Sequence, residues 1–191
     1  SDREFDIFHR LRVKYHHISA ERVCSGKGLE NLYNAIRVLD HKFDLPDLEA
    51  PDIKKNAMNG SCEVCKESLD LMLAFLGRVA GNLALSLNAH GGVYIAGGIP
   101  SKLGDYFLQS KFLEEFQNKL ASLTFLDPAC GSGNFLTETY LSLRRLENEV
   151  IKEKVGGQMT LVEVNNPIRV SIQQFYGIEI NDFAVTVAKT A

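Results

Sequence analysis

The fold is decided by the stretch Leu123-Thr124-Phe125-Leu126-Asp127-Pro128-Ala129-Cys130-Gly131-Ser132-Gly133-Asn134-Phe135. Its first residues are mostly apolar, and a short apolar run bounded by turn residues is typical of a buried strand. The glycines of the Gly-x-Gly turn permit close main-chain approaches that a Cβ atom would prevent. Apolar residues at helical spacing follow as far as residue 154, and the start of such a helix supplies free N–H groups. The stretch therefore predicts a strand, a turn that can lie against a ligand, and a helix.

The C-terminal half of the chain alternates between predicted strands and helices. We expect strands over residues 93–96, 123–126 and 175–180, helices over 102–119 and 134–154, and two β-rich stretches, 159–164 and 168–173, joined by the turn Asn165-Asn166-Pro167. Strand–helix–strand alternation predicts a parallel sheet with right-handed crossovers. The fold class is therefore α/β, and the strands from residue 93 onward could form one continuous layer.

The N-terminal part, residues 2–90, reads as almost all helix. Its loop at residues 44–52 contains two prolines, which exclude a continuous helix, and Asp52 can cap the helix that follows. A long helix is predicted over residues 62–88. Small residues lie between its leucines, and they permit close packing against neighbouring elements: Gly77, Ala80, Gly81 and Ala84.

Composition limits the class of protein. The 191 residues are 45% hydrophobic with a net charge of -3, enough apolar material for one ordinary domain or two small ones. No apolar run approaches the roughly eighteen residues of a membrane span, and the charged start is unlike a signal peptide. We therefore expect a soluble, cytoplasmic protein without a membrane partner. The mild acidity provides no basic field for nucleic acid.

Four cysteines are present, and two of them form the Cys-x-x-Cys pair Cys62 and Cys65. A zinc site needs four ligands, and Cys24 and Cys130 are isolated in the sequence. A thioredoxin-like motif would follow a strand, whereas this pair lies among helix-forming residues. The expectation is two reduced thiols on a helix surface.

A first family resemblance rests on three motifs that occur in the family's order. They are His17-Ile18-Ser19-Ala20-Glu21-Arg22-Val23-Cys24-Ser25-Gly26-Lys27-Gly28-Leu29-Glu30-Asn31-Leu32-Tyr33, Gly81-Asn82-Leu83-Ala84-Leu85 and Gly91-Gly92-Val93-Tyr94-Ile95-Ala96-Gly97-Gly98-Ile99. Residues 1–118 thereby resemble the C-terminal part of bacterial glucokinases, although Lys27 stands where the family usually has proline. The resemblance implies an actin-like ATPase-type fragment, glucose and ATP as the parent's substrates, and Gly97 and Gly98 as ATP contacts.

The family's remaining motifs do not occur in this sequence. Its early Asp-Gly-Gly-Thr phosphate loop, its catalytic Asn-Asp pair and its Glu-Gly-Gly-His sugar motif are absent. Phosphoryl transfer depends on such positioning and charge-stabilising groups. We therefore expect no glucose phosphorylation from this segment.

A second resemblance rests on the stretch quoted first. The string from Asp127 to Phe135 resembles the S-adenosylmethionine-binding start of N6-adenine DNA methyltransferases of restriction–modification systems, so residues 119–191 look like an N-terminal fragment of such an enzyme. The resemblance implies a truncated Rossmann-like parallel sheet with S-adenosyl-L-methionine as cofactor. The implied contacts are Asp127, Pro128, Ala129, Cys130, Gly131, Gly133, Asn134 and Phe135.

The second part of that implied site is Glu179 with Ile180. An acidic residue at the end of the next parallel strand can accept hydrogen bonds from both ribose hydroxyls. By resemblance Glu179 has that role and Ile180 packs against adenine; the alternative for Glu179 is a helix-capping acid.

The methyltransferase's catalytic motif, Asn/Asp-Pro-Pro followed by an aromatic residue, is missing. The nearest string, at residues 165–168, lacks the second proline and the aromatic residue and precedes Glu179, so it reads as a turn. We expect no catalytic residues, no metal and no DNA-binding region, although DNA is the parent enzyme's partner.

Three functions remain open. The chain is a methyltransferase fragment that at most binds its cofactor, a glucokinase remnant, or a rearrangement or misassembly product without function, the last favoured by a start and an end in mid-helix. A truncated sheet would expose an edge, so self-association is also expected.

Overall fold

The computed structural model describes residues 1–87, 89, 92–155 and 167–190. Helices dominate, and two short strands form a parallel sheet. The elements are α1 Asp2–Tyr15, α2 Glu21–Cys24, α3 Gly26–Leu39, α4 Ala50–Met58, α5 Glu63–Ser86, α6 Gly98–Ser101, α7 Asp105–Gln109, α8 Phe112–Ser122, β1 Phe125–Asp127, α9 Asn134–Val155, a 3-10 turn Ile172–Gln174, β2 Phe175–Gly177 and α10 Asp182–Thr190. The chain divides into two compact units, residues 1–80 with 94–115 and residues 81–93 with 116–191.

The first unit is built around α3, which packs against α1, α2 and α4. The apolar stripe of each helix points inward, and the fully buried side chains include Ile7, Leu32, Tyr33, Ile36, Ile53, Leu69 and Leu73. Side-chain caps fix where two of these helices begin. Ser1 forms a capping box with Glu4 at α1, and the Ser25 hydroxyl accepts a 3.0 Å hydrogen bond from the N–H of Gly28 at α3.

A close helix approach confirms the prediction drawn from the small residues of the long helix. A Cβ atom on Gly77 in α5 would lie 2.3 Å from the carbonyl oxygen of Phe112 at the start of α8. The two main chains meet there because residue 77 has no side chain.

Ion pairs join the helices of the first unit at its surface. The Arg3 guanidinium donates to both oxygens of Asp40, at 2.7 and 2.9 Å, and to both oxygens of Glu67, at 2.9 and 3.0 Å. Arg78 likewise donates to Glu115 at 2.7 and 3.1 Å and to Glu4 at 2.9 Å. These ion pairs connect α1, the end of α3, α5 and α8.

In the second unit β1 and β2 pair in parallel, with Phe125 opposite Phe175 and Asp127 opposite Gly177. The rings of Phe125 and Phe175 stack with centroids 4.9 Å apart, and Tyr140 of α9 meets the Phe175 ring edge-on at 5.7 Å. Aromatic cross-strand pairs of this kind stabilise a sheet beyond the area they bury.

A buried polar cluster holds the segment that leads into β2. Glu147 of α9 has no exposed surface, and its carboxylate accepts hydrogen bonds from the Gln117 side chain at 2.7 Å and from the N–H groups of Arg169 and Val170 at 2.6 and 3.1 Å. Arg144 pairs with the same carboxylate. Buried carboxylates require such partners, so the cluster specifies where residues 167–170 lie.

Several predicted elements differ from those observed. Residues 93–96 form no strand, because within the described residues no neighbouring strand pairs with them, and the expected continuous layer reduces to the two-stranded sheet. The helix expected over 102–119 is two shorter helices, α7 and α8, because Gly104 with φ 51° delays the start of α7 and the extended Ser110 ends it. The truncated Rossmann-like sheet is therefore not established by these two strands.

Further corrections concern local structure. Helix α4 begins with Glu49 as its N-cap, so Asp52 lies in the first turn instead of capping it. The stretch 168–173 is extended chain entering a 3-10 turn because the Ser171 hydroxyl and the Gln174 side chain form a capping box there. The predicted stretch 159–164 and turn residues Asn165 and Asn166 lie outside the described residues.

The long helix α5 agrees with its predicted bounds to within two residues. Among the described helices, α5 is long and apolar enough to cross a membrane. However, 56% of its most apolar 18-residue segment is buried inside the protein, as in a core helix. The expectation of two surface thiols at its start is wrong for Cys65, which is fully buried.

Candidate functional site

The loop after β1 is joined by hydrogen bonds to the segment after β2. The N–H of Ile178 donates to the carbonyl of Asp127 at 2.9 Å, and the N–H of Cys130 donates to the carbonyl of Ile178 at 3.0 Å. The Asp127 carboxylate accepts from the N–H of Ala129 at 3.1 Å, which shapes the turn. The ends of both parallel strands thus lie side by side, as predicted.

Two glycines make the loop's conformation possible. Gly131 and Gly133 have φ values of 53° and 82°, in the region that other residues rarely adopt. Gly133 is also packed, since a Cβ atom there would lie 3.2 Å from the Cβ of Ala188 in α10. Helix α9 begins at the next residue, Asn134, so its first N–H groups follow the turn directly.

Glu179 lies against this loop. One carboxylate oxygen accepts a 2.9 Å hydrogen bond from the N–H of Gly131, and the other accepts from the N–H groups of Ile180 and Asn181, both at 2.8 Å. The hydrogen bonds from Asn181, Gly131 and Ile180 lower the pKa of Glu179 below its ordinary value. Glu179 is half-buried, and its carboxylate keeps lone pairs that could accept hydroxyl donors.

Most of the remaining predicted contact residues at this loop are exposed to solvent. Pro128, Ala129 and Asn134 are exposed and Cys130 is half-buried. Phe135 is 60% exposed and Ile180 is 98% exposed, so neither apolar side chain is packed in the protein. The sequence-predicted residues therefore share one end of the sheet, with apolar groups open to solvent.

Of the second predicted contact, Gly97 with Gly98, Gly98 lines a cavity in the first unit. Gly97 has φ 118° and precedes α6, which begins at Gly98. The cavity has a volume of about 240 Å³, and helices α3, α4 and α5 form its walls. Its lining residues are Gly26, Leu29, Ala50, Pro51, Lys54, Leu69, Met72, Gly98, Ile99 and Lys102.

The sequence did not identify the other cavity walls. Leu29, Leu69 and Met72 have ordinary helical spacing, which indicates core packing and nothing more. The Ser-Gly-Lys-Gly string at residues 25–28 could have pointed to the site, because its small residues bring the start of α3 to the cavity. Two lysines at the cavity, Lys54 and Lys102, give it positive charge beside an apolar lining. Within the described ranges, no group of three or more metal-ligating side chains occurs.

Comparison with known proteins assigns the larger part of the chain. Residues 1–127 match the family model described as Glucokinase. Because that match covers more than half of the chain, the chain belongs to the glucokinase family. Residues 104–191 match a second model, described as MmeI, DNA-methyltransferase domain, and the two matches overlap over residues 104–127.

Individual relatives agree with the larger match. Glucokinase of Photorhabdus laumondii is 45% identical over 119 residues, which are 62% of this chain and 37% of the relative. Glucokinase of Paramagnetospirillum magneticum is 47% identical over 120 residues, 61% of this chain and 36% of the relative. A crystal structure of glucokinase from an Antarctic psychrotroph has a TM-score of 0.56 and 36% identity, covering 61% of this chain and 36% of that chain. The chain thus spans little more than a third of the length of these relatives.

Proposed function

We propose that this chain carries the nucleotide-binding side of a glucokinase, with the cavity beside Gly98 holding the adenine of ATP. The observation that carries the proposal is the position of Gly98 at this cavity, because a main chain without a Cβ atom can approach a nucleotide closely. The apolar walls suit a planar base, and Lys54 and Lys102 suit the phosphates. The same proposal includes glucose as the substrate of the parent glucokinase and the cytoplasm as its location.

The proposed function of this chain alone is binding without phosphoryl transfer. The phosphate loop, the catalytic Asn-Asp pair and the sugar motif are absent from its sequence. Without groups that position the sugar hydroxyl and stabilise charge on the phosphoryl group, bound ATP has no catalysed reaction.

Calorimetry with ATP tests the proposal, with Gly98→Leu as the decisive variant. Gly98 is helical and a Cβ atom there meets nothing within 4 Å, so leucine adds bulk at the cavity without a clash. We expect at least a tenfold loss of ATP affinity with an unchanged circular dichroism spectrum. Gln109→Leu, at an exposed position of α7 outside the cavity lining, should bind ATP normally. Equal affinity in all three proteins, or no binding at millimolar ATP, would reject the site.

We propose as a second candidate that residues 119–191 bind S-adenosyl-L-methionine at the Asp127–Phe135 loop. The supporting observation is the hydrogen bond from Gly131 to Glu179, which brings the glycine turn and the acidic strand end together. Glu179 would accept the ribose hydroxyls, and the exposed Phe135 and Ile180 would cover the adenosyl group. DNA would be a partner of the parent methyltransferase, and we do not propose it as a partner of this chain.

Calorimetry with S-adenosylmethionine separates this candidate from the first. Glu179→Gln should abolish binding, whereas Glu153→Gln on the exposed side of α9 should not. No heat of binding to the unsubstituted chain at millimolar ligand would remove the candidate and leave the ATP proposal untouched.

We further propose that the chain joins two families, with residues 1–118 from a glucokinase and 119–191 from an adenine-specific DNA methyltransferase. The overlap of the two family matches at residues 104–127 supports a seam in this region. Reading the genomic DNA across codon 119 in independent isolates tests the join. An uninterrupted frame supports a real fusion, and its absence indicates an assembly product.

A further inference from the structure

The Cys62 sulfur lies over the first turn of α5, next to Cys65. The carbonyl of Cys62 accepts the N–H of Lys66 at 3.0 Å, so Cys62 is the N-cap residue of the helix. Its Sγ accepts the N–H of Cys65 at 3.2 Å. Because that nitrogen is two bonds from the Cys65 Cβ atom, the Cys62 sulfur is directed towards the second thiol.

The spacing of the pair is compatible with a disulfide bond. Residues three apart on a helix are neighbours with Cβ atoms about 5–6 Å apart, and a disulfide requires Cβ atoms about 3.5–4.5 Å apart. Cys62 precedes the helix, so its φ and ψ can change by the small amount needed without breaking a helical turn. Gly60, two residues before Cys62, has φ 72°, and a Cβ atom there would meet nothing within 4 Å.

The two thiols differ in access to solvent. Cys62 is half-buried, whereas Cys65 has no exposed surface. Burial, followed by the neighbouring Cys62, raises the pKa of Cys65 to about 12. An oxidant from solution therefore reaches Cys62 first, and Cys65 reacts only with a sulfur already beside it. Among the described residues no third metal-ligating group joins the pair.

We propose that Cys62 and Cys65 form a reversible disulfide by exchange with a small disulfide such as glutathione disulfide. The Cys62 thiolate attacks one sulfur of glutathione disulfide, forming a mixed disulfide and releasing one glutathione thiolate, which takes up a proton. Cys65 then loses its proton and attacks the Cys62 sulfur, releasing the second glutathione. The protein loses two electrons and two protons, and one glutathione disulfide becomes two glutathione molecules. Intracellular disulfides of this kind are typically transient and redox-sensing.

Mass spectrometry of the native chain in glutathione buffers of defined ratio tests the proposal. As the oxidised fraction rises, peptide mapping should show a Cys62–Cys65 bond while Cys24 and Cys130 remain available to alkylation after denaturation. Burial raises the pKa of Cys24 to about 11, so it serves as an internal control for a slow thiol.

Two variants separate an intramolecular bond from ordinary thiol modification. In Cys65→Ser the mixed disulfide between Cys62 and glutathione should accumulate several-fold above its level in the unsubstituted chain, because nothing resolves it. In Cys62→Ser position 65 should stay unmodified. Equal accumulation of the mixed disulfide with and without Cys65, or oxidation of Cys24 or Cys130 before the pair, would overturn the proposal. Circular dichroism spectra establish that each variant is folded.

Discussion

Gly131 and Glu179 are 48 positions apart in the sequence, yet the N–H of Gly131 donates a 2.9 Å hydrogen bond to the Glu179 carboxylate. This bond closes the turn after β1 onto the end of the segment that follows β2. The other oxygen of the Glu179 carboxylate accepts hydrogen bonds from the N–H groups of Ile180 and Asn181, just before α10. Capping acid and ribose acceptor are the two alternatives that the sequence leaves for Glu179. The first-turn N–H groups of Phe183 and Ala184 in α10 donate to the Asn181 side chain, and the ribose role of Glu179 stays a proposal.

Protonation of Glu179 should release the loop. Its pKa is lowered in the folded chain, so the stabilising effect of the carboxylate is present above the unfolded value and is lost as pH falls through the folded value. We expect the Gly131, Ile180 and Asn181 amide resonances to shift together in that range. Carbon-detected NMR of the Glu179 carboxyl group measures the midpoint. An unfolded peptide containing residue 179 is the reference, and a midpoint equal to the peptide's would contradict the prediction.

Removal of the buried Glu147 carboxylate should strongly destabilise the second unit. Glu147→Ala leaves the Gln117 amide and the N–H groups of Arg169 and Val170 without this acceptor. Breaking a buried charged network costs about 3 to 5 kcal/mol. Urea unfolding measures the change in the free energy of unfolding. The matched control is Glu149→Ala on the same helix, whose exposed ion pair with Lys152 should be worth less than about 1 kcal/mol. Similar losses in both variants would show that the buried cluster is not specific.

The close approach at Gly77 should not tolerate alanine. The added Cβ would lie 2.3 Å from the Phe112 carbonyl oxygen, and a main-chain atom of α8 cannot rotate away. Overpacking costs about 1 to 3 kcal/mol, which exceeds the helix-propensity gain of about 1 kcal/mol. Thermal unfolding of Gly77→Ala tests this. Gly98→Ala, where the added Cβ meets open space, should leave the midpoint unchanged or slightly raised.

The Arg3 ion pairs should make the first unit sensitive to acid. Hydrogen bonds from Arg3 lower the pKa of Asp40, so this contribution is present above the unfolded Asp pKa and is lost as pH falls through the folded value. Arg3→Met should cost about 1 kcal/mol near pH 7, since these partly exposed pairs are screened by solvent. Urea unfolding should show a smaller difference in the free energy of unfolding between Arg3→Met and the unsubstituted chain at pH 2 than at pH 7. Lys27→Met, which removes an exposed pair with Glu30, is the control and should have a smaller effect at both values.

The positions of the long helices could be predicted because each is amphipathic over many turns. Helix α5 was expected over 62–88 and is observed as Glu63–Ser86, and α9 was expected over 134–154 and is observed as Asn134–Val155. Short elements were less predictable. Whether residues 93–96 form a strand depends on a partner strand elsewhere in the chain, and no local pattern records that partner.

For the candidate sites, local sequence indicates which residues could lie at a ligand, because the glycine turn and the acidic residue have local requirements for backbone conformation and charge. Their contacts follow from the tertiary structure. It joined Gly131 to Glu179 across 48 positions. The tertiary structure also places residues of α3, α4 and α5 around the cavity beside Gly98, and it buries Cys65. Each of these depends on packing between elements distant in sequence, where the free energy of burial selects neighbours that no local pattern specifies.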